Sequence, residues 1–276
     1  MFLSIDIGGT KTLLALFSPH GLCLKRLKFP TEKDPRAFEQ TLSKNLQSFM
    51  PNPSCRRRVK AVTVAIPGVV KIEPDSCSFQ FGNLDWHKID LLTPIKNLFN
   101  CKIFFANDAN LATLYESTRL GRKSKKSIYL TFSTGIGGGI ANNGKLSKTS
   151  DAFEPGHVKY TFKNQSAEWE DLASAKALVD AYHINSVQNL VLDDATLEDL
   201  LLRLSLGLID IVDQESPEIL IIGGPLAFLF QKFKKPLLQK LRSETSDKLL
   251  KLKKARRPTD STIYGAYLYS KQNYRK

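Results

Sequence analysis

The chain has 276 residues, 42% of them hydrophobic and 24% charged, which is ordinary for a globular protein and long enough for two domains with separate cores. Its longest apolar run, Ile219 to Phe230, holds twelve residues with two glycines and a proline, too short to span a bilayer. Met1 leads straight into a strand without the basic stretch and apolar core of a secretory signal, so a cytoplasmic protein is expected. The four cysteines, Cys23, Cys55, Cys77 and Cys101, form no C-x-x-C pair, which excludes a redox dithiol or zinc ribbon and fits reduced, partly buried thiols. Of the formal net charge of +13, residues 231–276 carry +11, with 14 Lys or Arg against 3 Asp or Glu. Lys234, Lys235, Lys248, Lys251, Lys253 and Lys254 are interleaved with leucines in what read as amphipathic helices. A solvated basic face is therefore favoured over a nucleic-acid surface, and no zinc-finger or aromatic RNA-binding signature accompanies it.

The first elements are strands, Phe2 to Ile7 and Thr12 to Phe17, joined through Gly8-Gly9. The pattern predicts a tight hairpin whose glycines supply positive φ. Asp6, Thr10, Lys11 and Thr12 crowd this turn, a composition suited to an anion with a metal beside it. Alone, the stretch reads first as an ordinary polar hairpin tip; it matches neither the Walker loop nor the G-x-G-x-x-G fingerprint. A third strand follows at 22–29, a helix at 35–50, a strand at 59–66 ending in Pro67-Gly68, a loop "GNLDW" at 82–86, a helix at 90–99 and a strand at 102–106. This order predicts a mixed sheet with helices on its faces.

The pattern then recurs. Residues 126–146 read as strand, glycine-rich turn and strand, with Ser133, Thr134, Gly135, Gly137, Gly138 and Gly139 at the turn. Helices are expected at 169–182 and 196–214, and a strand at 219–222 ending in Gly223-Gly224. Two glycine-rich hairpins so far apart predict two similar halves. Between them, Asn107-Asp108 stands where a strand ends and a helix begins, a position that suits a helix cap or a catalytic base.

In this order the motifs resemble the ROK group of sugar kinases and sugar-responsive repressors. "DIGGTKT" at 6–12 and "STGIGGGIANNGKL" at 133–146 resemble its two phosphate motifs, and "IPGVV" at 66–70 with "GNLDW" its sugar-side loops. "NDAN" at 107–110 resembles its catalytic segment, "EPGH" at 154–157 its E-x-G-H motif, "EDLAS" at 170–174 the stretch with a further sugar-binding glutamate, and "IIGG" at 221–224 its adenosine segment. The resemblance implies an α/β, two-domain actin-like (ribonuclease H-like) ATPase fold with an interdomain cleft. The domains would be 1–106, completed by a C-terminal helix at 259–276, and 107–258.

It further implies ATP-dependent phosphorylation of a hexose, glucose first and an N-acetylhexosamine or fructose next. Gly8, Gly9, Thr10 and Lys11 would face Thr134, Gly135 and Gly137 across the nucleotide phosphates, Gly223 and Gly224 would border the adenosine, and Asp6 would hold Mg²⁺ through water. Asp108 would be the general base and would also bind the sugar, together with Asn83, Asn107, Glu154, His157 and Glu170 on its hydroxyls. A homodimer is compatible with this picture, and neither a membrane nor nucleic acid is an expected partner.

Three departures stand out. Ser133 replaces a usual glycine, Pro155 enters the E-x-G-H motif, and no cysteine follows Cys101 to build the family's C-x-C-G-x-x-G-C zinc loop. Zinc is therefore not expected, since a closed site needs four N or S ligands, and the loop between His157 and Glu170 should be short. These departures keep open a degenerate member that binds sugar or nucleotide without turnover. A repressor is disfavoured, because repressors of the family carry a helix-turn-helix domain ahead of a phosphate motif that here begins at Asp6.

Overall fold

The computed structural model describes residues 1–72, 77–80, 84, 86, 89–120, 125–246 and 250–275, with backbone alone at 69–72 and 77–80. In chain order the elements are β1 (Phe2–Ile7), β2 (Lys11–Phe17), β3 (Cys23–Pro30), α1 (Pro35–Phe49), α2 (Pro53–Arg56), β4 (Ala61–Ile66), β5 (Val69–Ile72), β6 (Cys77–Gln80), α3 (Leu92–Lys96), β7 (Lys102–Asn107) and α4 (Asp108–Leu120). There follow β8 (Lys126–Phe132), β9 (Ile136–Asn142), β10 (Lys145–Leu146), β11 (Lys159–Phe162), β12 (Gln165–Glu168), α5 (Trp169–Ala173), α6 (Ala175–Ala181), α7 (Asp194–Glu215), β13 (Ile219–Gly223), α8 (Phe230–Glu244), β14 (Lys251–Lys254) and α9 (Ser261–Asn273). They divide into two compact units, Met1–Tyr115 with Thr262–Lys276, and Glu116–Ser261.

Each unit is built on a five-stranded mixed sheet. In the first the order is β3-β2-β1-β4-β7, in the second β10-β9-β8-β13-β14. Three antiparallel strands lead into two parallel ones in both, so the halves share one topology, as the paired glycine hairpins predicted. The parallel strands need cover on both faces, and β4, "AVTVAI", is buried at all six positions. On one face α1 lays Phe38, Leu42, Leu46 and Phe49. Its start is set by Asp34, whose carboxylate accepts the Ala37 N–H at 2.8 Å, with Pro35 as the first helical residue, the position where proline's missing N–H costs nothing.

Helix α9 belongs to the first unit, packing Ile263 and Tyr267 against Phe2 and Phe17. A buried hydrogen bond of 2.6 Å joins Thr63 and Ser270 hydroxyls beneath it. Gly265 lies so close to α4 that an added Cβ would overlap the Leu111 carbonyl. Gly265→Ala is therefore expected to destabilise the first unit by about 1–3 kcal/mol, the usual range for overpacking, despite alanine's better helix propensity; a lower urea midpoint is the measurement, and an unchanged or raised midpoint would refute the close packing.

The second unit buries Trp169, Phe132, Phe230 and Phe233 between its sheet, α7 and α8. Three expectations change across the two units. The helix predicted over 169–182 is broken at Ser174, which is extended (φ −64°, ψ 159°) and whose hydroxyl accepts the Ala177 N–H to start α6; a serine cap outcompetes helix continuation. Lys251, Lys253 and Lys254 lie on the edge strand β14 and not on a helix. Leu252 is buried between them, a period of two, and lysines along an edge oppose unwanted strand pairing; Lys248 lies outside the described residues. The helix expected at 90–99 shrinks to α3, because the Asp90 carboxylate accepts the Leu92 and Thr93 N–H groups at 2.9 Å and starts it late. Among the described residues no helix is long and apolar enough to cross a membrane.

Candidate active site

In the first unit the β1–β2 hairpin closes with Ile7 opposite Thr12 and the Gly8 N–H donating to the Lys11 carbonyl at 3.1 Å. Neither Gly8 nor Gly9 has positive φ, against expectation. Glycine at 8 instead permits close approach, since a Cβ there would stand 3.0 Å from the Lys11 carbonyl oxygen. Thr10 and Lys11 are exposed and Asp6 half-buried. Thr12 turns the other way: it is buried, its hydroxyl 2.8 Å from that of Thr31, while the Thr31 N–H donates to the Thr10 carbonyl at 3.0 Å. The strand's alternation sends Thr12 inward to anchor the turn and leaves Thr10 and Lys11 at its surface.

At the other end of the sheet, β7 runs directly into α4. Asn107 caps the helix, its Oδ1 accepting the Asn110 N–H at 2.9 Å while its Nδ2 donates to the Gly68 carbonyl at 3.1 Å. Asp108 is the first residue of α4 and half-buried, with Oδ1 accepting the Ala109 N–H at 2.7 Å. The capping role weighed for the pair thus falls to Asn107. A carboxylate in the first turn is favoured by the helix dipole. Asn83 lies outside the described residues.

In the second unit the β8–β9 turn spans Ser133, Thr134 and Gly135, closed by the Ser133 N–H on the Gly135 carbonyl at 2.9 Å. Gly137, Gly138 and Gly139 are not in the turn but within β9, opposite Thr131, Leu130 and Tyr129. There Gly138 serves packing, since a Cβ on it would press on the Phe153 ring at 2.7 Å. β13 ends at Gly223, against Tyr129, and Gly224 follows against Phe132; Gly224 has φ +74°, and a Cβ on either would overlap those neighbours.

Glu154, His157 and Glu170 gather beside this hairpin. The Glu170 Oε2 accepts the Ile136 N–H at 3.1 Å and lies against Gly135 and Gly156, both of which lack room for a Cβ. Pro155, Gly156 and His157 form a single 3-10 turn, with Pro155 at its first position, where proline fits. Burial holds the Glu154 carboxyl above the usual carboxylate range, with Glu170 adding to the effect. His157 Nδ1 is 2.8 Å from the Glu168 Oε2, and that hydrogen bond raises its pKa.

Glu168 is the residue that sequence reasoning missed. The short loop expected after His157 is a β-hairpin, β11–β12, turning on Lys163 and Asn164, both at positive φ, as a two-residue type I′ turn requires. Its register pairs Lys159 with Glu168, and the Trp169 N–H donates to the Val158 carbonyl at 2.9 Å. Buried Trp169 drops into the core, its Nε1 donating to the Arg203 carbonyl at 3.0 Å. The alternation "AEWE" around a core tryptophan was the available signal. His157, Glu168 and Glu170 have donor atoms within 4.8 Å of one another, the one such group of three among the described residues. A cavity of about 380 Å³ opens next to them, lined by Thr134, Glu170, Asp171, Ser174, Lys176 and Arg203 among others.

The ROK family model matches residues 2–273. The chain is 30% identical over 160 residues to a fructokinase of Lactococcus lactis subsp. cremoris, covering 56% of this chain and 51% of the relative. It is 29% identical over 158 residues to an N-acetylmannosamine kinase of Vibrio cholerae serotype O1, covering 56% and 52%. The chain thus spans about half the length of these curated relatives. A crystal structure of a ROK family glucokinase from Streptomyces griseus, in complex with glucose and AMPPNP, superposes over 99% of both chains with a TM-score of 0.75 at 20% identity. At that identity the likeness is one of fold, mixed α/β with two sheets.

Proposed function

The chain belongs to the ROK family, and on that premise we propose that it is an ATP-dependent sugar kinase, with glucose the leading substrate. The observation that carries the reading is the placement of Asp108 at the junction of β7 and α4: Asn107 caps the helix, and the half-buried carboxylate of Asp108 stands beside it in the first turn, accepting the Ala109 N–H. Phosphoryl transfer asks the protein for positioning, charge neutralisation and a group to take the hydroxyl proton. Asp108 is assigned the last. Asn107, its amide bridging Gly68 and α4, holds the segment in place and retains capacity for a sugar hydroxyl.

Glu154, His157 and Glu170 are assigned to the sugar, because carboxylates and imidazole pair hydroxyl groups well. Thr134 and Gly135 at one hairpin, and Gly8, Gly9, Thr10 and Lys11 at the other, are assigned to the phosphates. Gly137 supports its hairpin from within β9, and Gly223 and Gly224 are assigned to the adenosine side. The half-buried Asp6 carboxylate beside an exposed polar turn suits Mg²⁺, which accepts few protein ligands and keeps its waters; bound with ATP it would neutralise phosphate charge. No zinc requirement is proposed.

The fructokinase, N-acetylmannosamine kinase and glucokinase relatives define the panel that tests the reading. ATP consumption should appear with at least one of glucose, fructose and N-acetylmannosamine, and glucose should give the highest kcat/KM. No turnover with any hexose, alongside measurable sugar binding, would leave a binding protein in place of a kinase. A second test addresses Asp6: Asp6→Asn should raise the Mg²⁺ concentration for half-maximal rate several-fold with little change in sugar KM, and an unchanged Mg²⁺ titration would take Asp6 out of the metal site.

A further inference from the structure

His157 carries one hydrogen bond whose partner has no role in the reading so far. Its Nδ1 lies 2.8 Å from the Glu168 Oε2, while its side chain is 51% exposed. Two features bring the pair together. The tight Lys163-Asn164 turn returns β12 antiparallel to β11, placing Glu168 opposite Lys159. The Trp169 N–H then fastens to the Val158 carbonyl, and the Trp169 ring locks into the core against Phe132. Glu168 is thereby held between a strand end and a buried anchor, with its carboxylate aimed at the imidazole.

We propose that Glu168 is the positioning residue for His157. By accepting the Nδ1 proton it fixes the ring's direction and its neutral tautomer, so that Nε2 is the atom presented to a sugar hydroxyl. The assignment rests on the sugar-kinase reading for its ligand, but not for its geometry. A carboxylate on one ring nitrogen settles which nitrogen is protonated and how the ring is turned. Neutral, the ring offers Nε2 as an acceptor; protonated, it offers a donor along the same direction, because Nδ1 keeps its proton in both forms. The charged groups around the ring are Glu154, Glu168 and Glu170, all of which favour the protonated form. A free imidazole on a 51% exposed residue would sample several rotamers, and binding a sugar would have to select one.

The test uses the full chain and two variants. Glu168→Ala should raise the sugar KM about tenfold while leaving kcat within about twofold, since the lost contact orders the ground state. Glu168→Gln, whose amide oxygen still accepts the Nδ1 proton, should recover most of that loss. Nitrogen-15 NMR of the imidazole, assigned with His157→Gln, provides a readout independent of turnover. At a pH where the ring is neutral, the wild type should show protonated Nδ1 and unprotonated Nε2, and Glu168→Ala should shift toward the Nε2-protonated form that free histidine prefers. A wild-type ring protonated on Nε2, or a KM in Glu168→Ala equal to wild type, would overturn the proposal. So would stoichiometric tightly bound metal whose removal by chelator changes the His157 resonances, since Glu168 would then be a ligand. If no sugar is turned over but the Nδ1 proton is found on the Glu168 side, the positioning stands and the kinase reading falls.

Discussion

Replacing Asp108 by asparagine should lower kcat about 10²-fold or more, with sugar affinity and melting temperature close to the parent's. A general base contributes 10² to 10⁴, and 10² corresponds to about 2.7 kcal/mol of transition-state stabilisation. The structural cost is small by comparison. Asn107 is the cap, so the helix start survives the change, and an asparagine oxygen can still accept the Ala109 N–H that Asp108 Oδ1 accepts at 2.7 Å. The charge lost at the helix N-terminus is worth typically 0.3–1 kcal/mol. The two effects differ enough to separate them by steady-state kinetics, calorimetric sugar binding and a thermal melt. Asn107→Ala is the contrast: it removes both the cap, about 1 kcal/mol, and the Gly68 contact, so its melting temperature should fall with its rate. Normal turnover by Asp108→Asn on a sugar the parent phosphorylates would remove Asp108 from the mechanism.

The hairpins were legible in the sequence because their information is local. β-branched and apolar runs around Gly8-Gly9 and around 133–139 announce strand, turn and strand, and each unit's sheet contains that hairpin. What could not be read depends on partners distant in the chain. Nothing near Gly138 announces the Phe153 ring against it, so a run of glycines that looks like a loop proves to be strand. The lysines of β14 looked helical because leucines are frequent there; only pairing with β13 sets the period to two. Glu168 escaped notice for the same reason. Its partner is eleven residues back, across a hairpin whose Lys-Asn turn is less familiar than Asn-Gly. Its neighbour Glu170 was found through the motif it sits in, yet the hydrogen bond it accepts from Ile136 was not.

Glu116 shows how far a residue's appearance can depart from its role. In "LYESTR" it reads as an ordinary exposed helix glutamate, but it is 4% exposed, near the end of α4. Its carboxylate accepts the Arg256 N–H at 3.0 Å, the Arg257 N–H at 3.1 Å and the Ser261 hydroxyl at 2.5 Å. Within the second unit it therefore fastens α4 to the stretch that leads from β14 to α9. Glu116→Ala would leave the buried Ser261 hydroxyl and two partly buried backbone N–H groups without this acceptor, a fully buried orphan being worth roughly 1–3 kcal/mol and the other two less. Water entering the space would recover part of that, so a net loss of about 2–4 kcal/mol is expected, from one buried and two partly buried donors losing a charged acceptor. Glu116→Gln should be intermediate, because its amide nitrogen would oppose one N–H donor while its oxygen still satisfies another. Ser261→Ala removes a single donor and should cost about 1 kcal/mol. Urea unfolding followed by fluorescence and circular dichroism would rank the three, with both probes needed because two units need not unfold together. The ordering Ala, then Gln, then Ser261→Ala is the expected result. A Glu116→Ala midpoint equal to that of Ser261→Ala would mean that the backbone N–H groups of Arg256 and Arg257 find other partners, and that the carboxylate does not hold the segment.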